Sequence, residues 1–304
     1  MLQSTVPQQD LFFNPADREG WLERHHANIP AAIFNLIAEG ALFVINHSGG
    51  KDSQAMYLFM RRFVPAEQLI VVHADLPEVD WPGCMEHIEA TIFDTPLHIC
   101  RSRRTLLQMI AERGMFPSPS KRQCTSDLKR GPIEKVIRHT GHKLIVNCMG
   151  MRAEESPKRS KLQPFKFNER NSKNGRRWFD WLPMHSWYEH EIFAFIMDCG
   201  QTPHWAYAAG MSRLSCCFCI MASKEDLITA ARLMPALYAR YVALERSTGH
   251  VMMMPGKDGI KKTLVDITGV NPDAPSTFPH PTPPQPSRKV LWIQQEEKTD
   301  YAFC

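Results

Sequence analysis

Short apolar runs alternate along the first half of the chain with longer stretches whose apolar residues recur at helical spacing. "ALFVI", "LIVV", "LHIC" and "LIVNCM" are continuous rather than alternating runs. Such runs predict strands buried on both faces. Between them, "SQAMYLFMRRFV", "WPGCMEHIEATIF", "RTLLQMIAERG" and "DLKRGPIEKVIRH" carry the helical period, the last interrupted by a glycine-proline pair. A further helix is expected near "PAAIFNLIAEG", ahead of the first strand. Strands alternating with helices predict an α/β fold: a Rossmann-like parallel sheet with helices on both faces.

After Arg152 the pattern changes. "RAEESPKRSKLQPFKFNERNSKNGRRW" is polar and charged, and reads as a loop over an active site. "WYEHEIFAFIMDCG" is a helix ended by Gly200, and "KEDLITAARLMPALYARYVALERSTG" gives one or two amphipathic helices. "NPDAPSTFPHPTPPQPSR" reads as an extended tail. The expected organisation is an N-terminal arm and helix (1–40), a nucleotide-binding domain with a cysteine cluster (41–225), a helical part (226–270) and a proline-rich tail (271–304).

Composition changes this picture little. The 304 residues are 43% hydrophobic and 22% charged, as in ordinary globular proteins. A formal net charge of +4 permits an anionic partner without demanding one. No apolar run reaches the roughly 20 residues of a membrane helix, and the N-terminal stretch lacks the pattern of a signal peptide. A cytoplasmic protein without a membrane partner is therefore expected. Nine cysteines are many for a reducing compartment and need a reason.

The candidate chemistry starts at "NHSGGKDSQAM", where a strand gives way to a helix across two glycines. Gly49 and Gly50 let the main chain approach an anion closely. Ser48 and Ser53 offer hydroxyls, Lys51 a positive charge, and Asp52 a carboxylate for Mg²⁺. A helix N-terminus adds backbone amides aimed at the same spot. The spacing is not that of a Walker A loop. "HADL" places His73 and Asp75 at the carboxyl end of the second strand, the edge where open parallel sheets bind ligands. Downstream, "SCCFC" puts Cys216, Cys217 and Cys219 within one short stretch, a metal or redox signature.

Ser48–Ser53 resembles the PP-loop, SGGxDS, of the ATP pyrophosphatase and adenine-nucleotide α-hydrolase superfamily. "CTSDLKRGPIEKVI" is similar to the C-C-x-x-x-K-x-x-P-L segment of adenylylsulfate and phosphoadenylylsulfate reductases. Cys124, Lys129 and Pro132 match it, and Thr125 departs from it. "GMRAEESPKR" resembles that family's G-x-R-x-x-E-S-x-x-R loop, with Arg152 and Arg159 on its arginines. The resemblance spans about residues 40–225 and includes the phage and bacterial reductase-like proteins and the DNA phosphorothioation enzymes of the Dnd and Ssp types. It implies ATP and Mg²⁺ as ligands, with His73, Asp75, Lys129 and Arg159 at the nucleotide and Lys51, Asp52 and Arg152 in catalysis. It also implies a [4Fe–4S] cluster on Cys124, Cys216, Cys217 and Cys219; zinc, redox thiols and buried free cysteines remain open readings of the same residues.

The reductases' C-terminal E-C-G-L-H motif is missing, and the last cysteine is the terminal Cys304. The expected function is therefore adenylation of an acceptor with release of pyrophosphate, followed by sulfur transfer, with a nucleic acid as acceptor and a cysteine desulfurase or other sulfur donor as partner. Phe165 and Phe167, in a basic stretch, are candidates for stacking on bases. A sulfonucleotide reductase making sulfite and a non-catalytic nucleotide sensor are the alternatives. Oligomeric state is left open.

Overall fold

The computed structural model describes residues 15–256, 259–273 and 291–292. Its seven strands are β1 (Leu42–Asn46), β2 (Leu69–Ala74), β3 (Leu97–Cys100), β4 (Leu144–Met149), β5 (Phe165–Phe167), β6 (Arg177–Trp181) and β7 (Leu291–Trp292). They form one sheet in the order β5-β6-β4-β1-β2-β3-β7. All neighbours are parallel except β5, which runs antiparallel to β6. The fold is α/β and Rossmann-like, as expected. Strand order reverses between β1 and β4, so a crevice opens beyond their carboxyl ends.

The helices explain why the strands are apolar throughout. In chain order they are α1 (Pro15–Ala27), α2 (Ala31–Ala38), α3 (Lys51–Met60), α4 (Cys84–Thr91), α5 (Leu106–Arg113), α6 (Gln123–Thr125), α7 (Gly131–His139), α8 (Pro157–Ser160), α9 (Glu189–Asp198), α10 (Trp205–Ala208), α11 (Lys224–Leu233), α12 (Pro235–Thr248) and α13 (Leu264–Thr268). Phe43 and Ile45 of β1 face a core completed by Ile33, Met56, Ile88 and Phe195 from α2, α3, α4 and α9. Leu42 and Val44 face the opposite way, onto Val136 and Ile137 of α7. A third core lies off the sheet and joins Leu106 and Ile110 of α5 to Cys216, Cys217 and Phe218, and to Leu227, Tyr241 and Leu264 of α11, α12 and α13. It runs across position 225.

Several elements differ from expectation. The arm before residue 30 contains α1. The charged stretch after Arg152 is not simply a loop: it holds α8 and β5 and leads into β6. Ahead of α7 the chain forms the helical turn α6, and a π-helical turn over Ser126–Arg130 joins the two. Of the tail, Leu291 and Trp292 pair with β3; the rest beyond residue 273, with Cys304, lies outside the described residues, as do residues 1–14. Among the described residues, no helix is long and apolar enough to cross a membrane.

Candidate functional site

The turn between β1 and α3 is shaped by His47 and the two glycines after it. The His47 imidazole is held well below its usual pKa, first by burial and then by His87 and His73, so it is neutral. Its Nδ1 accepts the Gly49 amide at 3.1 Å. Gly49 has φ +76°, and a Cβ there would lie 2.5 Å from Cys84 Sγ. Only glycine fits on both counts. Ser53 closes the turn: its hydroxyl donates to the Gly50 carbonyl at 2.9 Å and accepts the Ser48 amide at 3.2 Å. Gly150, at the end of β4, lies so close to α3 that a Cβ would sit 3.0 Å from the Asp52 backbone.

Between these strand ends lies a cavity of about 760 Å³. Eight of the expected site residues line it: Ser48, Gly50, Lys51, Asp52, Ser53, Lys129, Arg152 and Arg159. Gly49 faces Cys84 instead. His73 and Asp75 do not line the cavity. With Asp80 they form a separate group whose ligand atoms lie within 4.8 Å of one another. His73 Nδ1 donates to the His47 carbonyl at 2.8 Å, and Asp75 is paired with Arg101.

The cavity wall carries five cations, Lys51, Lys129, Arg152, Arg159 and Arg213, against four carboxylates, Asp52, Glu154, Glu155 and Glu189. Lys51 is 2% exposed, and its ammonium contacts Glu189 at 3.0 Å and Asp52 at 3.6 Å. The rings of Tyr207 and Phe193 lie 5.1 and 5.5 Å from it. Burial works to lower the Lys51 pKa, but Asp52, Tyr207 and Glu189 outweigh it and hold it raised. Arg152 is paired with Asp52 and Glu154, and Arg159 with Glu155. Lys51, Arg152, Arg159 and Arg213 thus already have carboxylate partners in the cavity, and an anionic ligand must compete with carboxylates for them; Lys129 interacts instead with Asp80 and the cysteines.

Sequence reasoning missed His47, Glu189 and Tyr207. The Tyr207 hydroxyl accepts the Lys51 amide at 3.0 Å across 156 positions of sequence. No local pattern marks such a contact. His47 had a signal: it is the last residue before the loop.

The expected metal residues divide. Cys124, Cys216 and Cys219 interact electrostatically with one another and with Lys129. Burial pushes the Cys216 thiol up to about 12, with Lys129 pulling against it. Lys129 in turn is held above its ordinary value, first by Cys216. The Met221 amide donates to Cys219 Sγ at 3.4 Å. The Cys217 amide donates to the Val79 carbonyl at 2.8 Å, and burial first, then Cys216, Asp80 and Cys84, push its thiol well up. A tetrahedral zinc, with Zn–S bonds of about 2.3 Å, sets its sulfurs about 3.8 Å apart. Among the described residues no three cysteine sulfurs lie within 4.8 Å of one another. Thiols ligate zinc and iron–sulfur clusters alike, and the donor set of Cys124, Cys216 and Cys219 fits either by its chemistry. All eight cysteines of the described residues are free thiols.

A 37.8 kDa protein in the gpa 5' region of Escherichia phage 186 is 29% identical to this chain over 143 residues. The match spans 46% of this chain but only 42% of the phage protein. Similar solved structures include the U34-tRNA thiolase NcsA of Methanococcus maripaludis with its [4Fe–4S] cluster, at TM-score 0.47 and 12% identity over 85% of this chain and 89% of that one. The phosphoadenylyl-sulfate reductase of Candida auris matches at TM-score 0.42 and 13% identity, over 67% of this chain and 89% of its own. The FMN adenylyltransferase of Candida glabrata matches at TM-score 0.44 and 14% identity, over 66% and 62%. The phosphoadenosine phosphosulfate reductase domain model matches residues 43–222. That span takes in the turn after β1, the Arg152 loop and the cysteine stretch, and the chain belongs to this family.

Proposed function

We propose that this protein is a PP-loop ATP pyrophosphatase that adenylates an acceptor and supports sulfur transfer, with a nucleic acid as the acceptor. The observation that carries the reading is the position of Lys129. It lines the cavity beside the Ser48–Ser53 turn and also interacts with Cys124, Cys216 and Cys219. Lys129 thus links the cavity at the Ser48–Ser53 turn to the thiol set, which supports a reaction joining adenylation to sulfur delivery.

In this reading Ser48, the turn amides and Lys51 hold the triphosphate, and Asp52 takes Mg²⁺. An acceptor oxygen attacks the α-phosphorus and gives up its proton; the bond to the β-phosphate breaks, and pyrophosphate leaves with the electron pair. The side chains stabilise charge on the transferring group and supply no covalent step. Arg152 and Arg159 exchange their carboxylates for substrate anions. A sulfide, released from a cysteine desulfurase's persulfide with two electrons from a thiol reductant or supplied as such by another donor, then displaces AMP from the activated carbon or phosphorus, and AMP leaves with the bonding electron pair. Cys124, Cys216 and Cys219 would hold a [4Fe–4S] cluster, which would supply iron for binding sulfur. The thiols lose their protons as the metal binds.

Pyrophosphate release from ATP and Mg²⁺ tests the reading, on anaerobic protein with and without DNA, RNA and sulfonucleotides. Release that depends on a nucleic acid is expected. No release, with sulfite formed from a sulfonucleotide and a thiol reductant, makes the protein a reductase instead. ATP binding without turnover of any substrate makes it a sensor.

A further inference from the structure

Tyr241 lies on α12, outside the family-matched span, and is 1% exposed. Its ring is packed between Phe218, at a centroid distance of 5.0 Å, and Phe116, at 6.2 Å. Phe218 is the residue between Cys217 and Cys219, so the ring is anchored to the cysteine stretch itself. The Tyr241 hydroxyl is buried with no hydrogen-bond partner. Cys216 and Cys217 are buried in the same core as this ring, Cys124 packs against that core, and the titratable side chains that act on the hydroxyl are Cys216, Cys217, Cys219 and Cys124.

A buried hydroxyl without a partner is costly, because the hydrogen bonds it made to water are not replaced. Elsewhere the same core satisfies its phenols: Tyr238, three residues earlier on α12, bonds Thr268 at 2.7 Å and Val270 at 3.0 Å. The same core also leaves the Trp81 indole N–H unpaired, but of the two only the Tyr241 O–H is anchored to the cysteine stretch, through Phe218, where a group bound by the thiols could take it up. The partner must be an acceptor, because the phenol is the donor. Sulfur atoms carrying negative charge, whether bridging sulfides or ligating thiolates, are such acceptors.

We propose that the Tyr241 hydroxyl donates a hydrogen bond to a sulfur of the cluster held by Cys124, Cys216 and Cys219. This rests on the cluster reading above. It makes Tyr241 a positioning residue that tunes the cluster without ligating iron. A hydrogen bond to cluster sulfur stabilises the more reduced, more negative state and raises the reduction potential. Loosened packing that admits water also raises the potential, so a downward shift in a variant isolates the lost hydrogen bond.

The test is an EPR-monitored redox titration of full-length, anaerobically reconstituted protein, wild type against Tyr241→Phe. Iron and sulfide content should be unchanged and the potential lower in the variant. In D2O, wild-type protein should show an exchangeable deuteron coupled to the cluster by ENDOR, and the variant should lose that signal. Because the Met221 amide also donates to Cys219 Sγ, the deuteron that counts is the one lost in Tyr241→Phe; should that variant fail to load, protein made with fluorinated tyrosine, a stronger donor of nearly the same shape, should shift the potential upward, and no shift overturns the proposal. A cluster with no such deuteron, or an unchanged or raised potential in Tyr241→Phe, overturns this proposal and leaves the cluster standing. Protein that takes up zinc or no metal overturns both.

Discussion

Lys51 is a cation enclosed rather than offered. Its stem is buried between Phe193 and Tyr207, and its ammonium rests on Glu189 and Asp52. Replacing it with alanine leaves two carboxylates facing the phosphate position without their counter-ion. Lys51→Ala should lower pyrophosphate release about 10²–10³-fold, the loss typical of one charge-stabilising group, while circular dichroism stays unchanged. Gly49 makes a second prediction. Gly49→Ala combines a strained φ, worth about 1–3 kcal/mol, with a clash against Cys84 Sγ. The destabilisation, read as a shift in denaturant midpoint, should be smaller when Gly49→Ala is made in a Cys84→Ala background. If the two changes simply add, the thiol is not what fills that space.

Histidine ionisation belongs to the same scale. Burial lowers His87 to about 4, and lowers His204 to about 4 with help from His87. Unfolding restores both toward about 6.5. The unfolded chain therefore binds more protons between these values, and stability falls as pH drops from about 6.5 toward 4. Each group contributes a slope of at most about 1.4 kcal/mol per pH unit. Melting temperatures measured across this range should fall more gently in His204→Asn, which keeps an acceptor for the Ala206 amide that His204 now caps. An identical pH profile would show that His204 does not titrate on unfolding.

At the scale of elements, the π-helical turn before α7 sets where Lys129 sits. The Gly131 amide bonds the Ser126 carbonyl, five residues back, and Pro132 has no amide to continue the ordinary ladder. Single π-turns of this kind are frequent at functional sites. Pro132→Ala restores a donor and allows the α register, which rotates Lys129 away from the cysteines. Metal content per chain should fall in that variant, with little change in helicity.

The elements also show what could be read in advance. The strands β1 to β4 were legible because each is buried on both faces and therefore continuously apolar. The strands β5 and β6 were not: they lie toward the sheet margin and carry Lys166, Arg177 and Asp180. Phe165 and Phe179 do stack across them at 5.4 Å. A pair of aromatics in a stretch otherwise rich in lysine and asparagine reads as loop, because marginal strands need charge on their solvated positions. Site residues followed the same division. Ser48, Gly50, Lys51 and Asp52 share one turn, and their spacing exposed them. Glu189 and Tyr207 reach the turn only through the packing of α9 and α10, which no local pattern encodes.

For the whole molecule, the third core decides how the chain divides. Leu106 and Ile110 precede the cysteine stretch, while Leu227, Tyr241 and Leu264 follow it, and all are buried together. A chain cut after residue 225 loses the apolar cover of the cysteines and of α5. It should be insoluble or show the loose packing of a partly folded state, checked by near-ultraviolet circular dichroism and dye binding. A cut after residue 273 keeps that cover and should stay soluble.

Lys129 has one charge to share between the cavity at the Ser48–Ser53 turn, proposed above to take ATP, and a thiol set. A cation common to two sites makes them thermodynamically reciprocal. Adding an electron on the cysteine side draws the ammonium away from the nucleotide, and bound polyphosphate draws it away from the cysteines. ATP should therefore bind more weakly to the reduced protein than to the oxidised one. By the same free energy, saturating ATP should move the reduction potential downward. The cell's reducing state would then set the affinity for nucleotide, without any conformational switch to transmit it.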